Sequence, residues 1–188
     1  MAVRSIRISG DPVLHAPARE VEVIDDEIRE LVRDMIETMH EAPGVGLAAP
    51  QIGVPLRLFV YSWTDDDGVD HSGTAINPTL LISPTPVGDA DPDEESEGCL
   101  SLPGERFPLK RSDTALLRAT DLDGNAFEVE ATGWLARIFQ HEFDHLDGVL
   151  YADRLPLPYS RAAQKAVRRN RWGVPGLSWM PGVDNLED

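Results

Sequence analysis

His141-Glu142-Phe143-Asp144-His145 is the segment of this chain best suited to chemistry. Two histidines four residues apart share one helix face, so both imidazoles can reach one metal ion. Glu142 follows the first of them, close enough to take a proton from a water held at that ion. The competing reading is a chance match on a solvated helix. Leu135, Ile138, Phe139 and Leu146 argue against it, because they give the same helix a buried side. A catalytic centre of this type takes three protein ligands and keeps a further position open.

The third ligand is not found after the second histidine. Gly148 fits the longer pattern HExxHxxGxxH, but Tyr151 stands where the last histidine would be, and after Asp147 and Asp153 no acid occurs until Asp184. The third ligand is therefore expected upstream, where His15, His40, His71 and Cys99 are candidates. Cys99 is the best placed, since Glu97–Gly104 (EGCLSLPG) surrounds the thiol with small residues suited to a tight turn. Taken alone, a lone cysteine is more often a small buried hydrophobe. Asp144 and Asp147 either orient the imidazoles from behind or face water. Gly44–Gly53 (GVGLAAPQIG) superficially matches a dinucleotide fingerprint. The order helix, loop, strand excludes it, because that fingerprint needs a strand before it and a helix after. What remains is a loop whose backbone can approach a ligand closely, followed by Gln51, whose amide can donate or accept.

The elements that must position these residues follow from periodicity. Ile28, Leu31, Val32, Met35, Ile36 and Met39 lie on one face of a helix over 26–41, capped by Asp25 or Asp26 and ended at Pro43-Gly44. Strands are expected at 57–63 and at 74–82, the second bent at Asn77-Pro78. The stretch 84–96 holds three prolines and most of a run of acids, and reads as a solvated loop. Residues 114–120 and 126–132 form a hairpin through Asp123-Gly124. Helical spacing returns at 134–148 and 159–171, and the tail from Trp172 is rich in Gly and Pro and extended. The fold expected is α+β: a strand-rich middle packed around the HExxH helix, with one helix before it and one after.

Three segments taken together resemble the motifs of the peptide deformylases: Gly44–Gln51 (GVGLAAPQ), Glu97–Ser101 (EGCLS) and Gln140–Leu146 (QHEFDHL), in that order and at comparable spacing. The resemblance covers about residues 4–157, and the tail Trp172–Gly182 (WGVPGLSWMPG) is similar to that of actinobacterial members. It implies a catalytic domain over 1–157, followed at 158–188 by a basic helix and the extended tail. It implies removal of the formyl group from formyl-methionine at the N-terminus of new chains, with release of formate. Cys99, His141 and His145 would bind the metal, and Glu142 would be general base and acid. Gln51 and the N–H of Leu100 would hold the oxyanion. Gly44 and Gly46 would meet the peptide, and Glu97 and Arg106 would support the pocket. Pro50 departs from the pattern, standing where many members carry a polar residue, so any role of that amide N–H is lost. One turn before His141, Ile138 points the same way as the ligands and is expected to line the methionine pocket. The ligand types permit Zn2+, Ni2+, Co2+ or Fe2+, and the resemblance implies Fe2+. A generic peptidase of the HExxH type would need a downstream ligand that the chain lacks. A non-catalytic metal module would need a closed set of four.

Composition bounds the partners. Of 188 residues, 17 are basic and 33 acidic, net −16. The imbalance is uneven: 1–157 carry −18, 158–180 carry +5, and 181–188 carry −3. An acidic body has no general nucleic-acid footprint, so DNA is not an expected partner. The basic stripe Arg161, Lys165, Arg168 and Arg169 is either a solvated helix face or a surface that docks on ribosomal RNA. With one cysteine, no disulfide can form within the chain. No apolar run approaches the length of a membrane helix, about 18 residues. The expected location is the cytoplasm.

Overall fold

The computed structural model describes residues 2–184, 186 and 187. In chain order they form β1 (Ile6–Arg7), α1 (Asp26–Glu41), β2 (Gly46–Ala48), β3 (Leu58–Thr64), β4 (Asp70–Ile82), β5 (Ser96–Gly98) and β6 (Arg106–Pro108). There follow β7 (Thr114–Thr120), β8 (Ala126–Thr132), α2 (Gly133–Leu146), α3 (Tyr151–Arg154), α4 (Tyr159–Arg169) and β9 (Ser178–Trp179). One antiparallel sheet runs β2-β3-β4-β7-β8, and two small pairs, β1-β9 and β5-β6, stand apart from it.

The sheet is covered on both faces where β2 and β3 lie, which is why Leu58-Phe59-Val60-Tyr61 is buried throughout instead of alternating with water. Leu47, Leu58, Val60 and Ile76 face α1, meeting Val32, Met35 and Met39. Ala48, Phe59, Tyr61, Ala75 and Leu117 face α2, meeting Leu135, Ile138 and Phe139. The cap on α1 is Asp25, whose Oδ1 accepts from Ile28 N at 3.0 Å. A third cluster, with Cys99, Leu102, Leu109, Tyr151 and Ala163, joins the cysteine loop to α3 and α4.

The bend foreseen at Asn77-Pro78 is a bulge in the β4–β7 ladder between Ile76 and Thr79. Asn77 sits at φ +50° and its side chain closes on Val21, accepting from N at 2.8 Å and donating to O at 2.9 Å. Several expectations change, among them the start of β4, which lies at Asp70 rather than at 74. The stretch 44–53 is not simply a loop: Gly46–Ala48 pairs with Phe59–Tyr61, and a 3-10 helix spans Ala49–Ile52. Three short residues have no period to read, so that strand is set by its partner. The two helices are shorter at their C-terminal ends than expected, stopping at Leu146 and Arg169. The tail is tied down, with Ile6 opposite Trp179 in β1-β9. Gly148 also has a plain packing reason: at φ +74°, a Cβ there would lie 2.7 Å from Ala16 N.

Candidate active site

Packing fixes the rotation of α2, and that rotation aims the chemistry. Phe139 stacks edge-on against Tyr61, centroids 4.9 Å apart, on the sheet side. His141 and His145 then turn toward the cysteine loop, their rings 5.0 Å apart. Cys99, just after β5, places Sγ 3.3 Å from His145 Nε2. The ligand atoms of Cys99, His141 and His145 all lie within 4.8 Å of one another. The other upstream candidates lie elsewhere. His15 Nε2 accepts from Gly10 N, His71 pairs with Asp65 at 2.9 Å, and His40 is exposed in the last turn of α1. Among the described residues no fourth ligand joins the three, the pattern of an open centre.

The donor set fits a divalent transition ion: one soft sulfur and two imidazoles. His141 Nδ1 contacts Glu97 Oε1 at 3.3 Å, which leaves Nε2 for an ion. Burial, with His141 and Arg111 nearby, lowers the His145 imidazole well below its ordinary value, the neutral form that ligation needs. For His141 burial acts the same way, but Cys99 and Glu97 outweigh it and raise its value, so an ion held there would displace a proton.

Neither Asp144 nor Asp147 orients an imidazole; that carboxylate is Glu97. Burial alone would raise Glu97, yet His141 and Arg111 together hold it far below the usual range. Arg111 donates to Glu97 at 2.6 Å and to Asp144 at 2.7 Å, and Arg137 donates to Glu97 at 3.1 Å. Asp144 is closed off by Arg154, and Asp147 pairs with Arg57 near the surface. The network explains why two arginines and two acids can be buried here: each charge meets an opposite one.

Gln51 could donate or accept, and the fold decides which. Its Oε1 accepts from Ala48 N at 2.9 Å, which leaves Nε2 aimed at Ser101 Oγ (3.4 Å) and Cys99 Sγ (3.7 Å). Pro50 occupies the first turn of the 3-10 helix, where an N–H has no partner within the helix, so the local turn tolerates it. Gly46 has a steric role that its position in the sequence does not reveal: a Cβ there would lie 2.3 Å from Glu142 Oε1. At Gly44 a Cβ would meet Leu100 Cδ1 at 2.9 Å. Glu142 itself is 4% exposed, and among the described residues its Oε2 has no hydrogen-bond partner. Burial pushes its carboxyl up to about 7, a value suited to exchanging protons near neutrality.

A cavity of about 340 Å3 opens onto these groups, lined among others by Gly44, Gly46, Leu100, Arg106 and Ile138. Arg106 is exposed on β6, opposite Gly98. Among the lining residues not foreseen are Trp63, Trp134 and Arg137. Trp134, Arg137, Ile138 and His141 share one helix face, so counting back from the ligand finds two of them. Trp63 has no local signal, because it reaches Trp134 across the sheet edge, ring centroids 6.1 Å apart.

A helix-borne histidine pair beside a buried carboxyl, completed by a loop cysteine over an open cavity, defines a metal-dependent hydrolase. The polypeptide deformylase family model matches residues 3–160, and the chain belongs to that family, hydrolases that remove the N-formyl group from new polypeptides. It is 53% identical to a peptide deformylase of Mycolicibacterium smegmatis, with 97% of this chain and 96% of that one covered. It is 51% identical to one of Rhodococcus opacus, covering 97% and 95%. Among solved structures, the peptide deformylase of Ehrlichia chaffeensis in complex with actinonin is 36% identical, with TM-score 0.79 over 91% of this chain and 99% of that one. That of Thermus thermophilus is 43% identical, with TM-score 0.74 over 89% and 94%.

Proposed function

We propose that Cys99, His141 and His145 hold one divalent ion, Fe2+ in the cell, and that the substrate is formyl-methionine at the start of a nascent peptide. The observation that carries this is the convergence of one sulfur and two imidazoles beside the buried carboxyl of Glu142. When bound, the ion supplies Lewis-acid polarisation and makes water a stronger acid. Glu142 takes a proton from the attacking water, whose oxygen adds to the formyl carbon. The oxygen that gains charge is met by the Leu100 N–H and by Nε2 of Gln51, whose direction Ala48 sets. Glu142 then gives the proton to the departing amine, the carbon–nitrogen bond breaks, and formate leaves. Gly44 and Gly46 bind the peptide backbone, Ile138 lines the methionine pocket, and Glu97 and Arg106 support its wall.

The chemistry belongs to residues 1–157, with 158–188 as a basic helix and a buttressing tail. Formate release from formyl-Met-Ala-Ser by Fe2+- and Zn2+-loaded protein tests the reading. Internal peptide cleavage without formate would refute it. No helix among the described residues is long and apolar enough to cross a membrane, and the working place is the cytoplasm. Arg161, Lys165 and Arg168 are exposed on α4, whereas Arg169 is tied to Glu105. Arg161, Lys165 and Arg168 dock on the ribosome near the emerging chain. Salt-sensitive cosedimentation that survives reversal of these charges would rule that out.

A further inference from the structure

The cysteine loop is gripped from behind by both ends of the chain. Ser9 N–H donates to Ser101 O at 2.8 Å, and the indole Nε1–H of Trp179 donates to Leu100 O at 2.8 Å. The two ends are joined to each other. Ile6 stands opposite Trp179, and Gly173 N–H donates to Ser9 O at 2.9 Å. The approach is tight enough that a Cβ on Gly10 would lie 2.3 Å from the Gly173 carbonyl carbon. Trp179 is 3% exposed, and Leu100 packs against the cluster it belongs to.

Packing alone would not require the indole N–H to point where it does. Leu102 N–H closes the loop on Cys99 O at 2.7 Å, so Leu100 and Ser101 are the two central residues of a tight turn. The peptide between them is the plane that can rotate while the closing bond is kept, and its carbonyl is the one that Trp179 holds. Rotation of that plane changes ψ of Leu100. With Cys99 fixed beside His145, a turn released from Trp179 also lets the Leu100 Cα swing about ψ of Cys99, which tilts the Cys99–Leu100 plane that carries the Leu100 N–H. Ser101 Oγ, the contact of Gln51 Nε2, moves with it.

We propose that Trp179, on the C-terminal strand, is a positioning residue for hydrolysis: its indole N–H fixes the Leu100 peptide and so directs the N–H that receives the oxyanion. This rests on the oxyanion role of Leu100 given above. The test replaces Trp179 alone by benzothienylalanine, which keeps the fused ring but has sulfur in place of N–H, and adds W179F as a second variant. With formyl-Met-Ala-Ser and the metal-loaded enzyme, kcat falls about tenfold in the sulfur variant while KM stays within about twofold and Tm holds. W179F loses kcat to a similar degree and also loses Tm, since it leaves a gap.

A third protein, with the Cys99–Leu100 amide replaced by an ester, removes the Leu100 N–H itself and loses about 10²-fold in kcat. If the ester keeps full kcat, the oxyanion reading fails and the inference falls with it. If the ester loses kcat but the sulfur variant does not, Trp179 only packs, and the inference alone is overturned. A loss of kcat in the sulfur variant that comes with a matching loss of Tm, or a rise in KM, also makes Trp179 structural and overturns it.

Discussion

The two halves of the active site are built by different means. His141, Glu142 and His145 ride on one helix, whose rotation is set by apolar contacts along its length, among them Leu135, Phe139 and Leu146. Gln51, Cys99 and Leu100 come from two short segments, each held by single directional bonds: Ala48 N to Gln51, Ser9 to Ser101, Trp179 to Leu100. Many small contacts make the helix half tolerant, because losing one barely turns the helix. In the loop half each bond fixes one atom, so each is a separate point of failure.

The sharpest division comes from Glu142→Gln. The isosteric amide keeps the helix and its packing but cannot carry the proton. Formate release should fall on the order of 10⁴-fold, with Tm and bound metal unchanged. Near-full activity would remove Glu142 from the mechanism and leave the helix half as a metal holder alone.

Arg111→Met tests whether the halves are joined by charge. Arg111 is 6% exposed and bridges Glu97, which contacts His141, to Asp144 on α2. Removing it leaves two buried carboxylates facing each other's field without that cation. Denaturation should show a loss of about 3–5 kcal/mol. A loss under about 1 kcal/mol would mean that Arg137 and Arg154 suffice, and that the halves are independent.

Gly46→Ala strikes a place where strand backbone lies close against the Glu142 carboxyl. The added methyl would lie 2.3 Å from Glu142 Oε1, so the carboxyl must move, while the three ligands need not. A displacement of about 1 Å costs on the order of 10²-fold in kcat. Metal content measured by elemental analysis should stay the same. Unchanged kcat would show that Glu142 finds its working position without Gly46.

This division also explains what could be read in the sequence. The helix half was legible because its residues repeat at 3.6 and its ligands at four, so one period gives fold and chemistry together. The strands at 114–120 and 126–132 alternate and are joined by the Asp123-Gly124 turn, whereas 57–63 is legible as a short apolar run bounded by polar residues. The loop half could be narrowed but not built. The sequence offers four upstream ligand candidates, with Cys99 best placed, and leaves Gln51 both hydrogen-bonding roles, of which the fold assigns acceptance from Ala48 N to its oxygen. Glu97 as the partner of His141 was invisible, because Asp144 is nearer in sequence and 44 positions separate the true pair. Trp179 is farther still, 79 positions from Leu100. Such contacts depend on how segments return to one another, which no local period encodes.

A polar tie outside both halves should move stability and leave the chemistry alone. Asp34, 2% exposed on α1, accepts from Ala2 N at 2.7 Å and from Arg4 at 2.8 and 2.6 Å. Burial alone would raise its carboxyl, but the Arg4 guanidinium and the Ala2 N–H outweigh burial and lower it. A depressed value means that the folded state favours the charged form. The stability it adds is therefore complete above the unfolded value, about 3.9, and is lost as pH falls through the lower folded value. Because Arg4 is half-exposed and screened by water, Asp34→Asn should cost only about 1 kcal/mol at pH 7. The gap between wild type and variant should close below about pH 4, while kcat at pH 7 stays the same. A gap that does not narrow at all as pH falls from about 7 to well below the unfolded value would show that the charge of Asp34 is not what stabilises this end of α1. A drop in kcat would show that the N-terminal tie reaches the site through β1 and the cysteine loop, and that the loop half extends farther than its three residues.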